Sequence, residues 1–371
     1  MKRPLLPSHY SVWFEPPDER GDEVLHVVSE RRTLRLKGYA FREFCERVVP
    51  LLDGSRSLEQ IHESTGDVFE PEDLDRCLAL LRDQGVVVDA AANGLAPEAR
   101  ERMTPQLNLF HDLAPGEDLQ RRLASAHVAI LGMSGAGPSA ALALAAAGVG
   151  TISCHDPLPV VPADVYYAPF LGTGSAGSGR AERVAELIRA AAPEIAVAAS
   201  DAPLEEEDDV RRAIDGADFV VCCLDAAQSN LAFKLNRVCL ADGRRWIACA
   251  LAGAEVVVGP AMHPGESACY LCYRMRTVAA AGNPEEAFAH ERYLDQRRRD
   301  DSGARENLVF GAGVAGNLVG AEVVKELTGL GETALVGRIL VVRLTDLKVS
   351  RHAVLRKPGC PACYPASGNG S

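Results

Sequence analysis

The stretch from His127 to Asp156 limits what this chain can fold into more than any other part of it. It opens with an apolar run at 128–131 and crosses Gly132-Met-Ser-Gly135-Ala-Gly137. It continues as an Ala/Leu-rich helical pattern and returns at Val149-Gly-Thr-Ile-Ser-Cys before Asp156. Strand, tight glycine turn, helix, strand and acid, in that order, make one mononucleotide-binding βαβ unit. Glycines at such a turn permit positive φ and let a phosphate approach the N–H groups at the helix start, while an acid closing the second strand can bond a ribose. Asp156 lies 19 residues after Gly137, close to the spacing the unit requires. Gly132, Gly135, Gly137 and Asp156 are therefore a candidate nucleotide site, and the pattern alone does not establish that a nucleotide is bound.

The alternation continues downstream. Residues 180–192 read as a helix, 195–199 as a short strand, 217–225 as a buried parallel strand ending in Asp225, 230–241 as a helix and 246–251 as another strand. This predicts an α/β protein with a Rossmann-like doubly wound sheet. Residues 277–306 are polar, with Arg297, Arg298 and Arg299 beside Asp300 and Asp301, and read as a solvated loop or crossover. Gly311-Ala-Gly313-Val-Ala-Gly316 also matches the dinucleotide fingerprint, but the next acid, Asp346, is 30 residues beyond Gly316. We read it as a helix start whose small residues allow close packing.

A formal charge of −12 opposes general binding to nucleic acid or to anionic membranes, although it leaves room for local basic patches. The start of the chain has no apolar core long enough for a signal peptide and no membrane span is evident, so a cytoplasmic location is expected. Of eleven cysteines, Cys154, Cys222, Cys223, Cys239 and Cys249 sit in apolar runs as small buried hydrophobes. Four others form two Cys-x-x-Cys knuckles, Cys269/Cys272 after Pro264-Gly265 and Cys360/Cys363 after Pro358-Gly359. Two knuckles supply four thiolates for a closed tetrahedral zinc site of structural role, with no position left for water. A redox dithiol is the alternative.

Residues 1–90 read as a separate module and 91–104 as a linker to a domain over 105–371. Three β-like runs (10–14, 24–28, 33–36) precede three helical patterns (39–52, 57–64, 72–84), a winged-helix order, and Gly85-Val-Val-Val-Asp89 closes the module as a strand. The Leu-Arg-Leu-Lys-Gly strand end, the Leu-Leu-Asp-Gly helix end, Ser-Leu-Glu-Gln-Ile, and Leu-x-x-Leu-Leu ahead of Gly-Val-Val-Val resemble the PqqD-like recognition element of enzymes that modify ribosomal peptides. The resemblance implies that an extended leader peptide is added as a strand between the third strand and the third helix. The groove would be lined by Arg32, Thr33, Leu34, Arg35, Leu36 and Lys37 on the strand and by Leu74, Cys77, Leu78 and Leu81 on the helix. Arg31, Arg32, Arg35 and Lys37 suit an acidic leader. A winged helix that merely packs on its neighbour is the other reading; DNA binding is disfavoured because Glu72, Asp73, Asp75 and Asp83 outnumber Arg76 and Arg82 on the third helix.

Taken together, the glycine turn, the strand ending in Asp225 and the two knuckles resemble the ThiF/MoeB-like adenylating fold of ubiquitin-activating enzymes over about residues 105–365. With the module in front, the chain resembles the cyclodehydratase partner proteins, or leader-peptide-binding proteins, of azoline-forming peptide biosynthesis. That resemblance implies delivery of a precursor peptide to a separate YcaO-type enzyme that uses the ATP, and a homodimer built on the helix at 316–327 and an apolar sheet edge. Adenylating members bind ATP and magnesium with a second turn glycine, an Asn and an Arg after the ribose acid, a Lys and a metal-holding acid. Here that glycine is Ser134, no Asn follows Asp156 up to Leu171, and no Lys or Arg lies between Leu123 and Gly179. Pro105 precedes Gln106 where an arginine is usual, and 277–306 holds no cysteine to carry a thioester. Only Asp156, Arg180 and Asp225 match the functional pattern. Attack at an α-phosphate builds charge that fixed cations must stabilise, so the expectation is a scaffold without adenylation chemistry. ATP-dependent adenylation of a peptide carboxylate is the alternative.

Overall fold

The computed structural model describes residues 1–17, 19, 21–90, 95–114, 118–224, 229–296 and 307–364. They fall into two compact units, 1–121 and 122–371.

In the first unit, β1 (Pro4–Leu5) is followed by β2 (Ser11–Glu15), β3 (Glu23–Val28) and β4 (Thr33–Gly38). The last three form an antiparallel sheet in the order β2-β3-β4, which leaves β4 on an edge. Along β4 the exposed Thr33, Arg35 and Lys37 alternate with the half-buried Leu34 and Leu36, as a strand with one covered face demands. The first helical pattern is realised as α1 (Phe41–Glu43) running into a wide turn over Phe44–Val48 and a tight one over Val49–Leu51. Then α2 (Leu58–Thr65) opens on a reciprocal cap in which Ser57 Oγ accepts from Gln60 N–H and the Gln60 amide oxygen accepts from Ser57 N–H. Next, α3 (Pro71–Asp83) opens on proline, where no N–H is needed, and buries Leu74, Leu78 and Leu81 against Leu25, Phe44, Val48 and Ile61. Burial of each leucine contributes about 2 kcal/mol. A short β5 (Val88–Asp89) pairs with β1.

The expected linker at 91–104 is corrected in its second half: α4 (Pro97–Leu113) begins inside it, and residues 91–94 lie outside the described set. Pro97 sits at the helix start, where it breaks nothing, and Ala99, Met103 and Phe110 form the buried stripe. Asp112 ties this helix to the small sheet by accepting from Tyr10 Oη at 2.9 Å and Ser29 Oγ at 2.7 Å.

The second unit, entered through α5 (Leu119–Ser125), holds an eight-stranded mixed sheet. Its elements are β6 (His127–Leu131), α6 (Ala136–Ala146), β7 (Thr151–His155), α7 (Pro162–Tyr167), α8 (Arg180–Ala191), β8 (Ala196–Ser200), α9 (Glu207–Ala213), β9 (Phe219–Leu224), α10 (Ser229–Asp242), β10 (Trp246–Ala252), β11 (Glu255–Met262), α11 (Tyr270–Ala279), α12 (Pro284–Gln296), α13 (Val309–Thr328), β12 (Arg338–Arg343) and β13 (Lys348–Ala353). The order is β13-β12-β11-β10-β9-β6-β7-β8, parallel from β10 to β8 and antiparallel beyond. The parallel strands are apolar on both faces because helices cover both, α9 and α10 against Ala129, Leu131, Val220 and Trp246 on one side. On the other, α6 and α13 cross closely: a Cβ on Gly316 would fall 2.6 Å from Ser139 Cβ and 2.7 Å from the Ala136 carbonyl oxygen. The second glycine run is thus interior to a helix and serves packing, as its sequence context implies. The loop expected over 277–306 is instead the end of α11 and the solvated α12, while residues 297–306 lie outside the described set. No helix among the described residues is long and apolar enough to cross a membrane.

Candidate functional site

The glycine turn joins β6 to α6, with Gly135 as the residue before the helix. Gly137 is fixed by the fold itself, since a Cβ there would fall 2.0 Å from the Gly132 carbonyl oxygen. Asp156, at the end of β7, turns back onto the turn: its Oδ2 accepts from Met133 N–H at 2.7 Å and its Oδ1 from Leu158 N–H at 2.9 Å. Arg180, the first residue of α8, donates from Nε to Asp164 Oδ2 at 2.7 Å and holds Nη1 3.7 Å from Asp156 Oδ2. Ser134 Oγ donates to the other Asp164 oxygen at 2.7 Å. All four of these side chains are at most 2% exposed.

The structure therefore brings Gly132, Gly135, Gly137, Asp156 and Arg180 together as the pattern implies, whereas Asp225 lies outside the described residues. Asp164 is the residue sequence reasoning missed. It lies between Asp156 and Arg180 in a stretch with no Lys, Arg or Asn, and nothing local in the sequence marks its pairing with Arg180. The effect is electrostatic: one guanidinium faces two carboxylates, at 2.7 Å and 3.7 Å. Next to Asp156, His155 is pushed down to about 4 by burial and by His127, which keeps its ring neutral.

A second cluster forms at the far edge of the sheet. Cys269 precedes α11, Cys272 lies in its first turn, and Cys360 and Cys363 come from a turn after β13. Cys360 stands 88 positions beyond Cys272, yet all four sulfurs lie within 4.8 Å of one another. The separations are 3.9 Å for Cys269–Cys272, 3.8 Å for Cys269–Cys360 and 3.5 Å for Cys272–Cys363. A tetrahedral ion with bonds of about 2.3 Å to sulfur needs edges of about 3.8 Å, so the group fits a metal ion. Lys357 N–H donates to Cys272 Sγ at 3.2 Å, and Arg276 Nε donates to the Leu355 carbonyl at 2.7 Å, pinning the tail to α11. Burial raises the Cys360 thiol, but the N–H groups of Cys363 and Ala362 and the neighbouring sulfurs outweigh it and bring it down to about 7. By contrast, burial pushes Cys154 and Cys239 up to about 12, which fits inert core thiols.

The groove residues of the first unit separate into three groups. Thr33, Arg35 and Lys37 are exposed and Leu34 and Leu36 half-buried on the β4 edge, and Cys77 is half-buried on α3. Leu74, Leu78 and Leu81 are corrected from groove lining to core, each at most 2% exposed. Their spacing marks a buried stripe, and a stripe covered by the sheet and the other helices of the module has no surface left to offer. Arg32 is corrected as well: its guanidinium donates to the carbonyls of Gln84 and Gly85 at the end of α3 and to Tyr10 Oη, so it closes the module.

The sequence profile of the ThiF family matches residues 104–362. Among curated proteins, Protein HesA of Leptolyngbya boryana is 26% identical over 272 residues, covering 72% of this chain and 87% of that protein. The sulfur carrier protein ThiS adenylyltransferase of Escherichia coli is 28% identical over 256 residues, covering 66% and 89%. Among solved structures, E. coli MccB with MccA-N7isoASN superposes with a TM-score of 0.64 at 18% identity, over 97% of this chain and 99% of that one. PaaA superposes with a TM-score of 0.65 at 18% identity, over 94% and 99%. At that identity the likeness speaks for the fold, and it extends through the first unit as well as the second.

Proposed function

The chain belongs to the ThiF family, and from that premise we propose that it is a leader-peptide-binding scaffold without adenylation chemistry of its own. In this reading it captures a ribosomal precursor peptide through a PqqD-like winged-helix module and delivers it to a YcaO-type ATP-dependent cyclodehydratase that forms thiazolines or oxazolines. One observation carries the proposal: among the described residues, Arg180, the cation expected at the glycine turn, is already paired with a carboxylate of the protein. A triphosphate carries several negative charges and needs fixed cations at the phosphates. Arg180 is held by Asp164 at 2.7 Å and faces Asp156 at 3.7 Å, leaving that set of three charged side chains with a formal charge of −1. Ser134 adds a hydroxyl that is itself committed to Asp164.

Peptide capture is supported by the β4 edge, which no strand among the described residues pairs, by the exposed Arg35 and Lys37 on it, and by the half-buried Leu34 and Leu36 that alternate with them. Main-chain bonds to such an edge supply affinity and the alternating side chains supply register. The MccB structures include complexes with the peptide MccA, and that likeness in fold favours a peptide over a small acid as the substrate class. The four-cysteine cluster is assigned to structural zinc, since four thiolates close the coordination sphere. When bound, the ion would join α11 to the tail after β13.

Adenylation of a peptide carboxylate is the second reading, favoured by the adenylyltransferases among the relatives. Pyrophosphate exchange with purified protein, ATP, magnesium and the precursor separates the two. Background exchange is expected with and without peptide, and peptide-dependent exchange would overturn the scaffold. Arg35→Glu with Lys37→Glu is expected to weaken leader binding about tenfold, read by fluorescence anisotropy.

A further inference from the structure

The far edge of the large sheet carries a charge of the wrong sign for this protein. Residues 338–357, which span β12, β13 and the approach to the second cysteine knuckle, hold six Lys or Arg and one acid, Asp346, in a chain whose total charge is −12. Asp346 is paired with Arg343 across the hairpin turn. Among the described residues no carboxylate pairs with Arg338, Lys348 or Arg351. Among the described residues β13 is the last strand of the sheet, so alternate N–H and C=O groups along one side of it have no neighbouring strand there. Five of its six residues are exposed.

The two faces of β13 differ. On one stand Lys348, Ser350 and His352, bordering a hollow of about 250 Å³ that is also lined by Glu255, Val341 and Arg343. Glu255 lies opposite Arg343 in register, so the basic character of the hollow is retained by Lys348 and His352. On the other face Val349 is 59% exposed, and Leu347 and Leu355 flank the strand at 76% and 62%. Exposed edges are normally blunted by charge, which Lys348 and Arg351 would do, but blunting does not explain three exposed aliphatic side chains around the same strand.

We propose that β13 receives an extended segment of a partner polypeptide with acidic residues at every second position and apolar residues between them. Added as a ninth strand, such a segment sets its carboxylates toward Lys348 and His352 and its apolar side chains beside Val349. Pairing of β13 with its own copy is disfavoured, because antiparallel register would bring cationic side chains opposite one another. This surface is separate in sequence from the β4 edge and does not depend on the leader-binding reading.

The test uses the full-length protein and a fluorescent octapeptide of alternating Glu and Val, followed by anisotropy. Saturable binding is expected, weakened about tenfold by Lys348→Glu with His352→Glu and abolished when alternate residues of the probe are N-methylated, which removes the strand hydrogen bonds. Lys348→Gln with His352→Gln, which adds no new charge, is expected to fall between. Absence of saturable binding, equal binding to the charge-reversed protein, or equal binding of the N-methylated probe would each overturn the proposal. So would loss of binding on Arg35→Glu with Lys37→Glu, which would move the peptide to the β4 edge. Tighter binding of a single-stranded RNA of equal charge would overturn it in favour of a nucleic-acid surface.

Discussion

The glycine-turn pocket and the four-cysteine cluster are both assembled from side chains brought together over long stretches of chain, yet their groups stand in opposite relation to one another. At the glycine turn, a guanidinium, two carboxylates and a hydroxyl approach one another at 2.7–3.7 Å, and backbone N–H groups of Met133, Leu158 and Val161 donate to the carboxylates as well. In the cluster, four groups of one kind crowd within 4.8 Å, and sulfurs that become thiolates repel. A bound cation lowers the energy of the second set, while a polyanion raises the energy of the first. The number of polar groups in a cleft is thus a poor guide to whether it takes a ligand; the guide is whether those groups already answer one another.

The widest separation between the two should come from Cys272→Ser. One thiolate fewer should drop the metal content measured by plasma mass spectrometry from about one ion per chain to near zero, and lower the Tm by roughly 10 °C. A wild-type protein that contains no metal and titrates as a two-electron dithiol would instead place the cluster with the redox sites. The pocket should respond differently. Asp164→Ala leaves Arg180 buried against a single carboxylate at 3.7 Å and removes the acceptor of Ser134, a loss of about 3 kcal/mol in denaturant unfolding with metal content unchanged. ATP protecting that variant from unfolding would show the pocket to be a nucleotide site held shut by one residue, and the contrast drawn above would fail.

How far each region could be read in the sequence follows from the same difference. Two Cys-x-x-Cys knuckles advertise their chemistry in four letters, and the fold had only to bring Cys360 back to Cys272. The βαβ unit was equally plain, because glycine spacing and strand periodicity are local properties, and the observed 2.0 Å approach at Gly137 gives that glycine a reason without any nucleotide. Asp164 was not legible, since nothing local distinguishes an acid that pairs with Arg180 from one that faces water. Arg32 and the three leucines of α3 failed for a related reason: charge suggests a surface and spacing suggests a face, but neither says what is already pressed against it. The start of α4 was hidden because the Ala/Asn/Gly/Pro composition before Pro105 reads as a linker, although Pro97 stands in the first turn, where a proline costs a helix nothing.

The two regions are also joined, and the weakest expected effect tests that joint. His263 lies between β11 and the first knuckle, and its Nε2 sits 2.8 Å from Glu326 Oε1 on α13, the helix that packs against α6 behind the glycine turn. Glu266 approaches Nδ1 at 3.4 Å, and Arg245 stands 3.8 Å from the second Glu326 oxygen. The hydrogen bond to Glu326 raises the pKa of His263, with burial opposing it and Glu266 adding to it. A raised folded-state pKa means that the stabilisation is fully present below the ordinary histidine value of about 6.5 and is lost as pH rises through the folded value. Unfolding free energy should therefore decline as pH rises above the ordinary histidine value, by a small amount since the Arg245 guanidinium shares Glu326. His263→Gln, which keeps a hydrogen bond to Glu326 and has no titration, should flatten that segment of the curve while leaving metal content intact. If the variant declines in parallel with the wild type, the joint is mechanical only, and the charge balance of the pocket and the closure of the cysteine cluster are independent of one another.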